Sequence, residues 1–503
     1  MQANINHPDA DIARYVRVRS GDDGIQHICV AENRRSDFKV QSYVAQVQQR
    51  HPGKTCVSFL SMHDLAQVEG QGMATAADHS DSQSKVLGYF RRCVELGASD
   101  LHLTIGRDNS DLCYVETRVH GELELLDCID KSEGMALAST ICLSMCDVTE
   151  KQFYPTRHQD GRIAERFTKP LGLFGARYAH MPAVGGIYAV MRLIRDDQDQ
   201  IPTFEALGFL PAQVAAFRRM LQRPEGIVIL SGPTGSGKST TLRTASEAYL
   251  AQHKQGRSLP AKRLLTSEDP PEGRIPGAVQ TPILADKKLA SELTQAWLKS
   301  IAYAMRCDPD AMLIGEIRDY DSAMAAIKAV MTGHLMLTTL HANDPINIIE
   351  RLETEGVPQR LIADSQLMIG LISQRLVQRL CPACRRAYRE IADSLSEEDR
   401  RLVEMHCDPE RVFMRNHDGC GQCYRGVIGR VVVAEVIPPD AQFFELLRTQ
   451  SKAAAKTYWH RECGGITRNQ HVLHYINAGE VDPLSAHLVC PLDEDSYTLL
   501  KEK

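Results

Sequence analysis

The chain has 503 residues, 43% of them hydrophobic and 24% charged, with a formal net charge of -6. That length calls for several hydrophobic cores, roughly three or four, and the acidic balance argues against a broad basic nucleic-acid surface. No apolar run of about 18 residues offers a membrane span, and the opening stretch, with Asp9 and Asp11 and no apolar core, is unlike a secretory signal. Membrane association is therefore expected through a partner.

Residues 1–67 carry short strand-like runs at His27-Ile-Cys-Val30 and Thr55-Cys-Val-Ser-Phe59, which predict a small globular module of unreadable chemistry. Residues 68–84 are small and polar and predict a linker. From Lys85, apolar positions Val86, Leu87, Phe90, Val94 and Leu96 follow helical spacing. Alternating runs at Asp100–Leu103, Leu112–Arg118 and Tyr188–Ile194 then predict strands, so 85–200 reads as an α+β domain. Ile201–Phe209 reads as a hinge, with Pro202 and Gly208 as breakers.

Over 201–375 strands and helices alternate, the pattern of a parallel α/β sheet. A helix opens near Pro211, and strands fall at Gly226–Leu230, from Leu264, at Ala311–Ile314 and at His334–Thr339. A helix over Ser322–Met331 separates the last two. Beyond Ser373 the chain is expected to turn charged and helical, with 376–437 forming a cysteine-rich module and 438–503 an α-rich tail.

Gly232-Pro233-Thr234-Gly235-Ser236-Gly237-Lys238-Ser239 is a complete G-x-x-x-x-G-K-S between an apolar strand and the helical run Thr241–Leu250. That context is what a phosphate-binding loop requires: glycines let the backbone wrap an anion, and the amides of the helix N-terminus point at it. Lys238 is positioned to reach the β- and γ-phosphates and Ser239 to join a Mg²⁺ shell, while Thr240 caps or packs the helix. Hydrolysis needs in addition a carboxylate for water and groups that meet charge on the γ-phosphoryl. Three segments offer them: Glu268-Asp269-Pro270-Pro271-Glu272, Gly315-Glu316-Ile-Arg318-Asp319, and His334 with His341 bracketing a strand. The odd count between the two histidines puts them on opposite faces of a regular strand.

Most of the fifteen cysteines sit singly in apolar stretches, where a thiol is usually a small core residue. Cys381-x2-Cys384 and Cys420-x2-Cys423 differ. Two such knuckles, with Gly419 and Gly421 beside the second, supply four thiolates to a tetrahedral Zn²⁺. Four free buried thiols is the plain alternative, and Cys407 between the pairs is a possible substitute ligand.

The order G-P-T-G-S-G-K-S-T, E-D-P-x-E, G-E-I-R-D and T-G-H…T-T-L-H-A-N-D resembles the type II secretion and type IV pilus ATPases over about Lys85 to Ile437. Gly97-Ala-Ser-Asp-Leu-His102 and Arg118-Val-His-Gly121 are similar to two further family signatures. The resemblance implies a RecA-like P-loop core preceded by an α+β PAS-like domain and followed by an α-rich zinc-containing region. It implies ATP and Mg²⁺ as ligands, with Glu316 polarising water, Glu268, Asp269 and Glu272 near the metal, and His334 and His341 sensing the γ-phosphate. Arg177 and Arg192 lie where the family brings arginines onto the nucleotide. Arg318 is expected to pair with a neighbouring acid, and Ser267 and Pro271 depart from the family's aliphatic positions. The tetracysteine module resembles that of assembly and export members and implies structural zinc. A homohexamer on the cytoplasmic face of an inner membrane, pushing a membrane platform protein for a pilus or for type II export, is what the family implies, with 1–67 as recruitment domain. The competing reading is a RecA-like motor on nucleic acid, against which the acidic charge counts.

Overall fold

The structure, a computed structural model, describes residues 15–20, 25–35, 37–60, 80–148, 152–196, 200–254, 256–283 and 290–501. The chain divides into two units, Met1–Asp81 and Ser82–Lys503. In the first, β1 (Val16–Ser20) runs antiparallel to β2 (Gln26–Ala31), which runs parallel to β3 (Thr55–Leu60). Helix α1 (Phe38–Arg50) is capped by Asp37 and buries Val40, Tyr43 and Val44 with Ile28 and Val30. Most of the expected linker, 68–79, lies outside the described residues; its last part already belongs to helix α2 (Asp81–Glu95).

Residues that alternate apolar and polar over 100–195 form one antiparallel sheet, as half-buried strands should. Its strands are β4 (Asp100–Ile105), β5 (Leu112–Val119), β6 (Glu122–Asp130), β7 (Cys146–Val148), β8 (Gln159–Ile163), β9 (Leu173–Ala183) and β10 (Gly186–Arg195), in the order β6-β5-β4-β10-β9-β8-β7. Helix α2 lays Val86, Tyr89, Phe90 and Cys93 on Leu101, Leu103 and Ile105. The hinge predicted at Gly208 is gripped from the far end of the chain. Gly208 adopts φ +110, and a Cβ there would lie 2.2 Å from Val431 Cγ2. Its carbonyl accepts from Tyr475 Oη (2.7 Å) and from His471 Nε2 (2.9 Å), whose Nδ1 accepts the Ala434 amide (3.0 Å).

The second sheet has the order β13-β12-β14-β15-β11-β16-β19 among the nineteen strands numbered along the described residues. These are β11 (Gly226–Ser231), β12 (Leu264–Glu268), β13 (Val279–Pro282), β14 (Ala311–Ile314), β15 (Leu335–Leu340), β16 (Met368–Leu380) and β19 (Val427–Ile437); β17 (Arg386–Ala387) pairs with β18 (Phe413–Met414) outside it. Every pairing is parallel except β16 with β19. Both faces are covered, which is why its strands are continuous apolar runs. Ile227 and Ile229 face helices α6 (Ala290–Ala304), α7 (Tyr320–Met331) and α8 (Pro345–Thr354); Val228 and Leu230 face α4 (Pro211–Leu221) and α5 (Lys238–Gln252). A further helix, α9 (Glu397–His406), precedes the tail helices α10 (Ala441–Thr449), α11 (Lys452–Arg461) and α12 (Arg468–Asn477).

Past Ser373 the structure corrects the expected helix. The chain stays extended to Leu380, and β19 pairs with it from Ile437 to Val427. Arg375 and Gln378, within this stretch read as charged and helical, lie on the strand and line a cavity. Among the described residues no helix is long and apolar enough to cross a membrane.

Candidate active site

Parallel strands all end at one edge of their sheet, so the loops after β11, β12, β14 and β15 meet there. After β11 the chain wraps through Gly232, at φ +141 with its missing Cβ only 2.4 Å from the Gln374 carbonyl oxygen, and α5 opens at Lys238. Lys238 Nζ folds back to donate to the Gly232 and Pro233 carbonyls at 2.8 and 3.0 Å. Burial lowers its pKa, opposed by the carboxylates of Glu316 and Glu272. Gln374 Nε2 on β16 holds the loop through the Ser236 carbonyl at 2.7 Å. Among the described residues the buried hydroxyls of Ser236 and Thr241 have no hydrogen-bond partner, leaving spare donors at the loop. Ser239 lies in the first turn of α5, and the Thr240 carbonyl accepts from Thr244 Oγ1 within the helix.

Glu316 follows β14 beside the loop. Arg318 Nε donates to its Oε2 at 3.1 Å, and His341 Nε2, at the end of β15, lies 3.4 Å from its Oε1. The two loops are tied by Thr339 Oγ1 to the Gly315 carbonyl (2.7 Å) and by the Ile317 amide to the Thr339 carbonyl (2.9 Å). Glu268 ends β12 and accepts from Thr266 Oγ1 (2.7 Å) and Gln280 Nε2 (3.1 Å); burial pushes its pKa up. Asp269 continues the turn into Pro270.

Arg177 of β9 reaches this edge from the antiparallel sheet. Its guanidinium lies 3.1 Å from Glu272 and donates to the Pro270 carbonyl at 3.2 Å, so Pro271 does not keep Glu272 from a partner. Arg192 stands opposite Arg177 in register but is held by Asp100 at 3.1 Å, away from the acidic turn. Arg162, unnoticed in the sequence, is also opposite Arg177, on β8. Directly paired residues of antiparallel strands share a face, so the three arginines form one row. Reading the register of three separated strands was the only signal for it.

His334 is a correction. It sits at the amino end of β15, its Nδ1 2.9 Å from the Ala329 carbonyl and 3.1 Å from Thr332 Oγ1, where it closes the end of α7. The six-residue strand separates it from the carboxyl edge of the sheet by about 20 Å at roughly 3.3 Å per residue. The two histidines lie at opposite ends of the strand, and only His341 reaches Glu316.

Sequence reasoning also missed a cavity of about 320 Å³ against the crown of the loop, bounded by His120, Glu122, Pro233, Arg375 and Arg430. It opens on the β16 and β19 side of β11, whereas Glu316 and His341 lie on the β14 and β15 side. Arg375 Nε is buried, with no hydrogen-bond partner among the described residues.

The four paired cysteines converge. Cys381 Sγ to Cys420 Sγ is 3.7 Å, Cys384 to Cys423 3.7 Å and Cys420 to Cys423 3.6 Å, with all four sulfurs within 4.8 Å of one another. A tetrahedron of thiolates around zinc has edges of about 3.8 Å, from bonds of about 2.3 Å. Backbone amides of Cys420 and Gly426 point at Cys423 Sγ (3.2 and 3.3 Å) and that of Gln422 at Cys420 Sγ (3.4 Å), donors that suit thiolate charge. The set fits zinc. Cys407 ends α9 and packs in the neighbouring apolar core instead.

The sequence profile of type II/IV secretion system proteins matches residues 77–481. The chain belongs to this family. A family member from Escherichia coli, a protein transport protein HofB homolog, is 31% identical over 417 residues, 82% of each chain. The type II secretion system ATPase E of Vibrio cholerae is 31% identical over 360 residues, 71% of this chain and 65% of that protein. The type IV pilus assembly ATPase PilB of Thermus thermophilus is 32% identical over 365 residues. The match spans only 38% of the Thermus protein, so the family likeness resides in the shared core. The mixed α/β fold is that of the pilus retraction motor PilT solved with bound ADP, at a TM-score of 0.52 and 22% identity over 80% of this chain and 95% of that one.

Proposed function

We propose that the chain is a P-loop ATPase that drives assembly of a type IV pilus or type II protein export from the cytoplasmic face of an inner membrane. The observation that carries this reading is Glu316 with His341 at 3.4 Å beside Lys238, on one carboxyl edge. In this reading 201–375 is a RecA-like core, 85–200 a PAS-like domain, and six chains form a ring against a membrane platform protein. ATP enters with its triphosphate in the loop, and Lys238 exchanges the Gly232 and Pro233 carbonyls for phosphate oxygens. Ser239 and the acidic turn of Glu268, Asp269 and Glu272 are the residues that hold Mg²⁺, which neutralises phosphate charge. Glu316 orients the water, His341 meets the developing γ-phosphoryl charge, and Arg177 joins the nucleotide when the sheets close.

With the γ end at Glu316, sheet order points the nucleoside to the cavity on the β16 side. The four cysteines hold a structural zinc, because four thiolates leave no open position for chemistry. The test is ATP turnover by the purified oligomer. Lys238→Ala should abolish turnover and weaken binding, and Glu316→Gln should retain ATP unhydrolysed; normal turnover by the Gln variant refutes the assignment of Glu316. Stimulation by acidic phospholipid favours the membrane motor, whereas stimulation by single-stranded DNA counts against it.

A further inference from the structure

Glu122 is where the two large sheets are fastened together. It opens β6 directly after the tight turn at His120, which has φ +50, and Gly121, and this turn walls the cavity beside the phosphate loop. Across from it stands Arg415, carried by the segment between the two cysteine pairs and only 5% exposed. Its two terminal nitrogens grip both carboxylate oxygens of Glu122, Nη2 to Oε2 at 3.0 Å. Gln378 of β16 completes the node. Its amide nitrogen donates to Glu122 Oε1 and to the His120 carbonyl, both at 3.1 Å, and its oxygen accepts from Arg415 at 3.0 Å.

Arg415 is itself immobilised by the metal-binding region. Its Nε donates to the Arg425 carbonyl (2.8 Å), two residues beyond Cys423, and its amide to Asp482 (2.7 Å). Arg425 makes a second ion pair to β6, through Glu124 at 2.9 Å. A planar fork on a carboxylate fixes orientation as well as distance, which a lysine's point charge does not. The Arg415 guanidinium and the Gln378 amide hold the Glu122 carboxyl at about 2, against the burial that would raise it.

We propose that Arg415 is a positioning residue of the nucleotide site: it locks Glu122, and with it the His120–Gly121 turn, as the wall of the cavity beside the loop. The cysteine module thereby sets how firmly the site holds nucleotide. This rests on the reading of the loop and cavity as an ATP site. A purely architectural ion pair would alter stability and leave nucleotide release unchanged, whereas a wall-holding contact controls the rate at which the occupant leaves.

The experiment follows dissociation of a fluorescent ADP analogue from the full-length protein by stopped flow, with zinc content measured on each sample. Arg415→Met and Glu122→Gln should each accelerate release about tenfold, within the range of ordinary site coupling. The double variant should release no faster than the faster single variant, because both remove one shared contact, and Arg415→Lys should fall between parent and Arg415→Met. Parental release rates in both single variants, or additive effects in the double, overturn the proposal. Should Arg415→Met lose zinc, Glu122→Gln, whose residue belongs to the other sheet, decides alone. A parent that binds no analogue overturns the nucleotide reading and the proposal with it; a parent that binds, with unchanged variants, overturns the latch only.

Discussion

Lys456 on α11 is 4% exposed, and its ammonium lies 2.8 Å from Glu435 Oε1 and 3.4 Å from Asp344 Oδ2. Burial works against its charge, and the carboxylates of Glu435 and Asp344 outweigh it, so the group stays protonated. Lys456→Met keeps the length of the side chain and removes the charge. Glu435, 1% exposed on β19, would retain the Arg468 amide at 3.1 Å on Oε1 and the attraction of the buried Arg468 guanidinium, while its Oε2 has no hydrogen-bond partner among the described residues. Removing one partner of a buried ion pair costs about 3–5 kcal/mol, and the Arg468 charge that remains puts the expected loss at the lower end, about 3 kcal/mol.

The loss should also depend on pH. Burial already holds the Glu435 pKa above its ordinary value, and loss of the Lys456 charge raises it further, so the penalty is small near pH 4.5 and grows as pH rises. Removing both charges, as Glu435→Gln with Lys456→Met, should recover much of the loss. The assay is denaturant unfolding followed by Trp459 fluorescence, since Trp459 lies buried on the same helix. A Lys456→Met penalty below about 1 kcal/mol, or a double variant no more stable than the single, would refute the account of this network. The network matters to the site because Asp344, three residues after His341, caps α8 through the Ile346 amide, and Arg468 holds the Asn343 carbonyl.

Two other measurements bear on separate parts of the molecule. Elemental analysis should find about one zinc per chain, and four freely titrating thiols without metal would dismiss the centre. His471 is fully buried and its pKa is lowered to about 4, because burial disfavours the charged ring. Its neutral form is therefore the native one. Stability is complete above about pH 6.5 and declines toward pH 4 as the unfolded chain alone binds the proton, by up to about 3 kcal/mol. His471→Gln should flatten that decline; an unchanged pH profile would show that another group governs it.

Local chemistry wrote part of this protein plainly. A phosphate loop demands glycines where the backbone must turn the wrong way for other residues, so Gly232 to Ser239 announced both the loop and the strand and helix around it. Cysteine knuckles are equally local, and Cys381, Cys384, Cys420 and Cys423 could be paired by spacing before their sulfurs were seen within 4.8 Å. The carboxylates and histidines were legible as candidates only. Which histidine reaches the edge depended on strand direction: His341 leaves the carboxyl end of β15 and His334 enters the other. Arg177 against Glu272, the node of Glu122, Gln378 and Arg415, and the grip of His471 on Gly208 join residues far apart in the chain. No periodicity encodes such contacts, because each depends on how elements distant in the chain pack against each other. Sequence therefore determined where the glycine-rich loop and the cysteine pairs lie, and packing alone decided which distant side chains stand beside them.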